Sequence, residues 1–229
     1  METKKTNSKK NDVLKTVSKA HTRYYNAEGV RLPSSTTITG LLNKPSLVKW
    51  ANNLGLDGYD SDEYTKAAAR IGTLIHGLVE EHITDVAFDR TTYSDYEMEI
   101  AQVGYYKYIE WEQNHDVKPI FNEKKLVSEI YQFGGTLDFY CEVDGVKTLI
   151  DFKSGSGIYG EHFCQTASYL ELLEENGYEV EQIIILNIGR DADDPLQHAK
   201  INRETAYKYF EIFKALLNVY YLKKELKWK

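Results

Sequence analysis

Apolar positions recur at helical spacing through most of the first half of the chain and at strand-like spacing through much of the second. Behind Ser34, Ser35 and Thr36, the run Ile38, Leu41 and Leu42 is apolar-periodic, and Pro45 with Ser46 opens a short helix containing Leu47 and Trp50. Ile71, Leu74, Ile75, Leu78 and Val79 predict a long helix over about 63–83, and a second periodic run covers about 96–114. After Pro119 the period becomes β-like, predicting strands over 123–129, 135–143 and 146–154. The last two are joined by Asp144-Gly145, a strong two-residue hairpin signal. A helix over about 161–175, a continuous apolar strand over 183–188 and a closing helix over about 203–226 complete the pattern. That order predicts a mixed α/β domain, a central sheet flanked by helices behind a helical N-terminal part.

Composition narrows this picture. The chain has 229 residues, 42% of them hydrophobic, enough for one domain over 23–229. Residues 1–22 are polar and lysine-rich and read as a flexible basic tail, either solubilising or tracking phosphate. No apolar run approaches the length of a membrane span and no secretory leader is visible, so a cytoplasmic protein without membrane contact is expected. Cys141 and Cys164 are the only cysteines, too few for a disulfide framework or a cysteine-ligated cluster. The formal net charge of -7 runs against the basic excess usual in nucleic-acid binders, although metal-holding carboxylates lower net charge without removing a local basic groove.

The hairpin carries the candidate chemistry. Counting outward from Asp144-Gly145 sets Asp138 opposite Asp151, where Cβ atoms lie roughly 4.5–5.5 Å apart and like charges destabilise. Alternation puts Lys153 on the face of Asp151, opposite Thr136. Two carboxylates and one ammonium thus stand among Leu137, Phe139, Ile150 and Phe152, where a core-building pattern would place none. Their compensation is either a structural ion pair with Lys153 or a divalent cation such as Mg²⁺, which takes one or two carboxylates and leaves its other positions to water and phosphate.

Asp138 followed by Asp151-Phe152-Lys153 resembles the signature of the PD-(D/E)XK nuclease superfamily. With Gly72-Thr73-Leu74-Ile75-His76, Gly134-Gly135-Thr136-Leu137-Asp138, Asp151-Phe152-Lys153-Ser154-Gly155, and Gln165 with Tyr169, the series is similar to its RecB-like branch. That branch includes phage exonucleases, CRISPR-adaptation nucleases and the mitochondrial genome maintenance exonuclease. The resemblance spans about 34–190 and implies a restriction-endonuclease-like core. It implies that His76, Asp138, Asp151 and the carbonyl of Phe152 are metal ligands for one or two Mg²⁺ or Mn²⁺ ions, that Lys153 assists the attacking water, and that Gln165 and Tyr169 support the site and DNA. Leu137 stands where the superfamily name has a proline. The cysteines that hold an iron–sulfur cluster in many CRISPR-adaptation relatives are absent, so no such cluster is expected.

Around these, Thr73 and Glu80 share a helix face with His76, and Arg70 is a candidate phosphate contact or a solvated surface charge. Glu123 opens the strand before the hairpin and matches an acid of related proteins. His82, His115, His162 and His198 have no comparable company. The expected activity is metal-dependent hydrolysis of DNA by an exonuclease acting at free ends in recombination, repair or replication of a phage or similar genome, alongside a single-strand-binding protein or recombinase. An endonuclease or branched-DNA nuclease of the same fold, or a catalytically silent DNA-binding adaptor, are the alternatives.

Overall fold

The computed structural model describes residues 22–190, 193 and 195–228; the expected basic tail lies, apart from Thr22, outside them. A short hairpin, β1 (Tyr24–Tyr25) and β2 (Arg31–Leu32), precedes the helices α1 (Ser35–Thr39), α2 (Pro45–Leu56), α3 (Ser61–Thr84) and α4 (Asp95–Gln113). Then come β3 (Val117–Ser128), β4 (Phe133–Val143), β5 (Val146–Lys153), α5 (Gly160–Glu175), β6 (Gln182–Asn187), β7 (Gln197–Asn202) and α6 (Arg203–Glu225). The helix starts carry the chemistry their sequences advertise. Ser34 accepts from Thr37 N–H at the start of α1, Pro45 opens α2, and Ser94 with Glu97 forms a reciprocal capping box on α4.

Strands β3 to β7 form one sheet in the order β3-β4-β5-β6-β7. All neighbours are antiparallel except β5 and β6, which α5 joins as a parallel crossover. Ile38, Leu137, Leu149, Leu172 and Phe213 fill the core on the α5–α6 side. Leu74, Ile75, Tyr108, Phe139 and Ile150 fill the core on the α3–α4 side. The domain is therefore a mixed α/β sheet with helices on both faces, as the sequence pattern predicts.

Three elements differ from the expectation. Strand β3 starts before Pro119 and accommodates it because β3 is an edge strand with a register shift between Pro119 and Phe121. Strand β7, Gln-His-Ala-Lys-Ile-Asn, is too polar to announce itself and exists because it completes the ladder of β6 at the other edge. The β1–β2 pair is only two residues long on each side, and Tyr24 is nonetheless buried against the sheet. Among the described residues no helix is long and apolar enough to cross a membrane.

Candidate active site

The hairpin of β4 and β5 turns at Asp144 and Gly145, whose φ angles of 53° and 81° are those a two-residue turn of the primed type requires. From there the register runs as expected, Val143 opposite Val146 through Phe139 opposite Ile150. It then stops. Asp138 and Asp151, the next step outward, are not a ladder pair, although each strand continues its ladder with its other neighbour. The end of β5 pairs with β6, Asp151 beside Ile185 and Lys153 beside Asn187, while Thr136 pairs with Lys125 of β3 rather than with Lys153. Instead of a backbone partner across the hairpin, Phe152 N–H donates to Oδ2 of Asp138 at 2.9 Å. One carboxylate thus sits in the fork.

A local twist of β4 sharpens the fork. Leu137 packs in the α5-side core and Phe139 in the α3-side core, although strict alternation would set both on one face. Asp138 occupies the residue between. Opposite it, Glu123 interrupts the β3–β4 ladder between the pairs Asn122–Phe139 and Lys124–Leu137, and its backbone is left-handed with φ 46°. A non-glycine residue in that region is strained, and the strain aims β3 away from regular pairing at this point. The expectation that all three charged groups share one sheet face therefore holds for Asp151 and Lys153, which alternate with the α5-facing Leu149, and not simply for Asp138.

Electrostatics at the fork are unbalanced. Asp151 is 1% exposed, and Lys153 Nζ lies 2.5 Å from its Oδ2. That contact is an ion pair of poor hydrogen-bond direction, and neither carboxylate oxygen of Asp151 receives a well-aligned hydrogen bond. Burial raises the Asp151 pKa against the pull of Lys153, and Asp138 raises it further. Burial acting alone would lower Lys153, but Asp151 and then Asp138 more than reverse it, so the ammonium stays charged. A carboxylate this buried, with a second one acting on it, is costly to keep charged.

Facing Asp151 and Lys153 is α5. Gln165 Nε2 donates to Tyr169 Oη at 2.7 Å and reaches Thr36 Oγ1 at 3.4 Å, so the two residues four apart touch as their spacing predicts. Tyr169 is buried over Gly135, where a Cβ would lie 2.6 Å from the Tyr ring. Its pKa is driven well up by burial and by the charges of Asp151 and Asp138. On the opposite side, a cleft of about 230 Å³, mouth included, is bordered by His76, Glu80, Asn122, Glu123, Asp138 and Phe152. His76 stands edge-on to the Phe152 ring at 6.1 Å between centroids. α3 approaches so closely because residue 72 is glycine; a Cβ there would meet Ser154 Oγ at 2.6 Å. The structure thus brings His76, Glu123, Asp138 and Phe152 to one cleft, with Asp151, Lys153, Gln165 and Tyr169 behind it.

Two expected residues are occupied elsewhere. Thr73 Oγ1 donates back to Ala69 O at 3.1 Å within its own helix. Arg70 pairs with Glu97 at 2.5 Å, donates to Thr92 O and lies 4.4 Å over the Tyr93 ring, pinning α3 to the start of α4. One residue is added. His162, at the start of α5, has Lys153 and Asp151 as charged neighbours, and burial and then Lys153 lower its pKa. In the sequence, only its place three residues before Gln165 signals this.

Among the described residues no three His, Cys, Asp or Glu side chains converge closely enough to hold a metal ion. Asp138 and Asp151 nonetheless suit a hard divalent cation. They offer carboxylate oxygens, and the two of Asp151 lack directed donors in a buried place, where such an ion would satisfy them.

No family model and no curated protein matches the chain. Among solved structures it is similar to a protein named Putative exonuclease from Eubacterium rectale, at 10% identity and a TM-score of 0.46 over 65% of this chain and 68% of that one. It is also similar to the alkaline exonuclease LHK-Exo of Laribacter hongkongensis, at 15% identity and a TM-score of 0.33, covering 68% of this chain and 84% of that one. The complex of LHK-Exo with dAMP scores 0.32 at the same identity and coverage.

Proposed function

We propose that the chain is a Mg²⁺- or Mn²⁺-dependent DNA exonuclease of the PD-(D/E)XK type, RecB-like branch, acting on DNA with free ends. The observation that carries this reading is the fork itself. Asp151 is buried with both oxygens lacking directed hydrogen bonds, beside Asp138 and a single lysine. A purely structural ion pair would match one carboxylate to one ammonium; here a second carboxylate is held in place by Phe152 N–H. Asp138 and Asp151 would hold the cation, with the Phe152 carbonyl and His76 as further donors and water or phosphate oxygens completing the shell. When bound, the ion supplies positive charge to the scissile phosphate and makes a water acidic enough to attack.

Lys153 then orients that water and offsets charge developing on the phosphate, for which its raised pKa keeps it protonated. Gln165 and Tyr169 brace the fork from α5, and Glu123 borders the cleft beside Asp138. Work in recombination, repair or replication beside a single-strand-binding protein or recombinase is part of the same proposal. The test is incubation of end-labelled linear single-stranded and duplex DNA, next to a closed circle, with Mg²⁺ or Mn²⁺ and an Asp151→Ala control. Progressive loss of linear DNA that EDTA and the substitution both abolish is the expected result. Nicking of the circle would move the assignment to an endonuclease. Absence of metal-dependent cleavage, together with absence of Mn²⁺ binding by calorimetry, would overturn it.

A further inference from the structure

One histidine stands beside the fork with half of its imidazole already committed. His162 lies on the α5 face that also carries Gln165 and Tyr169, three and seven residues on, and that face looks at the β5 residues alternating with Leu149, namely Asp151 and Lys153. Its Nδ1 accepts a hydrogen bond from the backbone N–H of Tyr159 at 3.2 Å, while its own N–H donates to Tyr159 O at 3.0 Å. The Tyr159 ring packs edge-on against it at 5.6 Å and is itself tied to Ser156 by a 2.8 Å hydroxyl contact. The ring is therefore held on one side by the turn that opens α5.

Those contacts settle the tautomer. An Nδ1 that accepts cannot carry the proton of a neutral imidazole, so the proton resides on Nε2, the far side of the ring. A helix-capping role uses Nδ1 alone and leaves the Nε2–H of this half-buried ring without a hydrogen-bond acceptor.

We infer that His162 is a catalytic residue, whose Nε2–H donates a hydrogen bond to a non-bridging oxygen of the scissile phosphodiester. The inference rests on the nuclease reading. No proton changes hands; the donor stabilises charge that grows on the phosphate oxygens as the bond to the leaving oxygen breaks, complementing Lys153 from the α5 side.

Three variants test it: His162→Gln, whose carboxamide N–H reaches about as far as Nε2, His162→Asn, whose amide is too short, and His162→Phe, which keeps the ring without a donor. Single-turnover cleavage at saturating DNA with Mn²⁺ is read beside DNA affinity and the melting temperature. The expected result is a loss of about 100-fold in rate for His162→Asn and His162→Phe, with at least tenfold recovered in His162→Gln and DNA affinity within about threefold throughout. Should His162→Phe fail to fold, the Asn and Gln pair decides, since both replace an aromatic ring by a similar amide. Equal rates for Asn and Gln, or a loss matched by falling melting temperature, would reduce His162 to a helix cap and overturn the inference. A wild-type protein that cleaves no DNA overturns the nuclease reading itself, a distinct outcome from wild-type cleavage with variants of unchanged rate.

Discussion

The two ends of the β4–β5 hairpin obey different rules. At the turn, Asp144 and Gly145 adopt positive φ and five residue pairs follow in register, so backbone hydrogen bonds and side-chain alternation agree. At the open end the strands separate, a carboxylate replaces a backbone acceptor, β4 twists, and Glu123 across from it takes a strained conformation. The closed end is built for stability and the fork tolerates local cost. Ending the ladder before the acids relieves the repulsion that directly opposed carboxylates would have across it.

That contrast can be broken from either side. The largest effect is expected from Asp151→Ala, which should lower cleavage by about 10³-fold or more while circular dichroism stays that of the wild type; activity near wild type would remove Asp151 from the chemistry. Lys153→Ala should cost activity similarly. It should also destabilise the metal-free protein by about 3 kcal/mol in urea titration, because the buried Asp151 carboxylate loses its ion-pair partner. An unchanged midpoint would mean that the carboxylates are not coupled through the lysine.

At the closed end, Gly145→Ala places a Cβ on a left-handed residue with open space around it, so the cost is conformational, about 1–2 kcal/mol. Single-turnover rate should not change; a large fall would show that turn and fork are mechanically linked. The smallest effect is the most diagnostic. Asp138→Asn keeps an oxygen to accept from Phe152 N–H but removes the charge that acts on Asp151, so the stability of the metal-free protein should change by no more than about 1 kcal/mol while cleavage and Mn²⁺ affinity are lost. Stability lost in that variant would argue that the fork is a structural ion-pair network.

Much of this was legible in the chain because the relevant signals are local. Apolar periodicity located α3, α4, α5 and α6, Pro45 marked a helix start, and Asp144-Gly145 placed the turn that counts Asp138 toward Asp151. Gln165 and Tyr169 touch because four residues make one helical turn. What escaped was non-local. Arg70 looks like a free cation until Glu97, Thr92 and Tyr93, more than twenty residues away, close around it. His162 looks like any helical histidine until β5 is laid beneath α5.

Local signals in the chain thus suffice for the mixed α/β order, the hairpin turn and its register as far as Phe139 opposite Ile150, since helical period, strand alternation and turn chemistry act over a few residues. Only the tertiary structure decided that the ladder ends one pair short of the acids. It also decided that Asp138 sits between two faces and that His162 joins the lysine. Those outcomes depend on contacts between elements far apart in sequence: β6 continues the ladder of β5 through Lys153 and β3 that of β4 through Phe133, while between β4 and β5 the Asp138 carboxylate takes the Phe152 N–H.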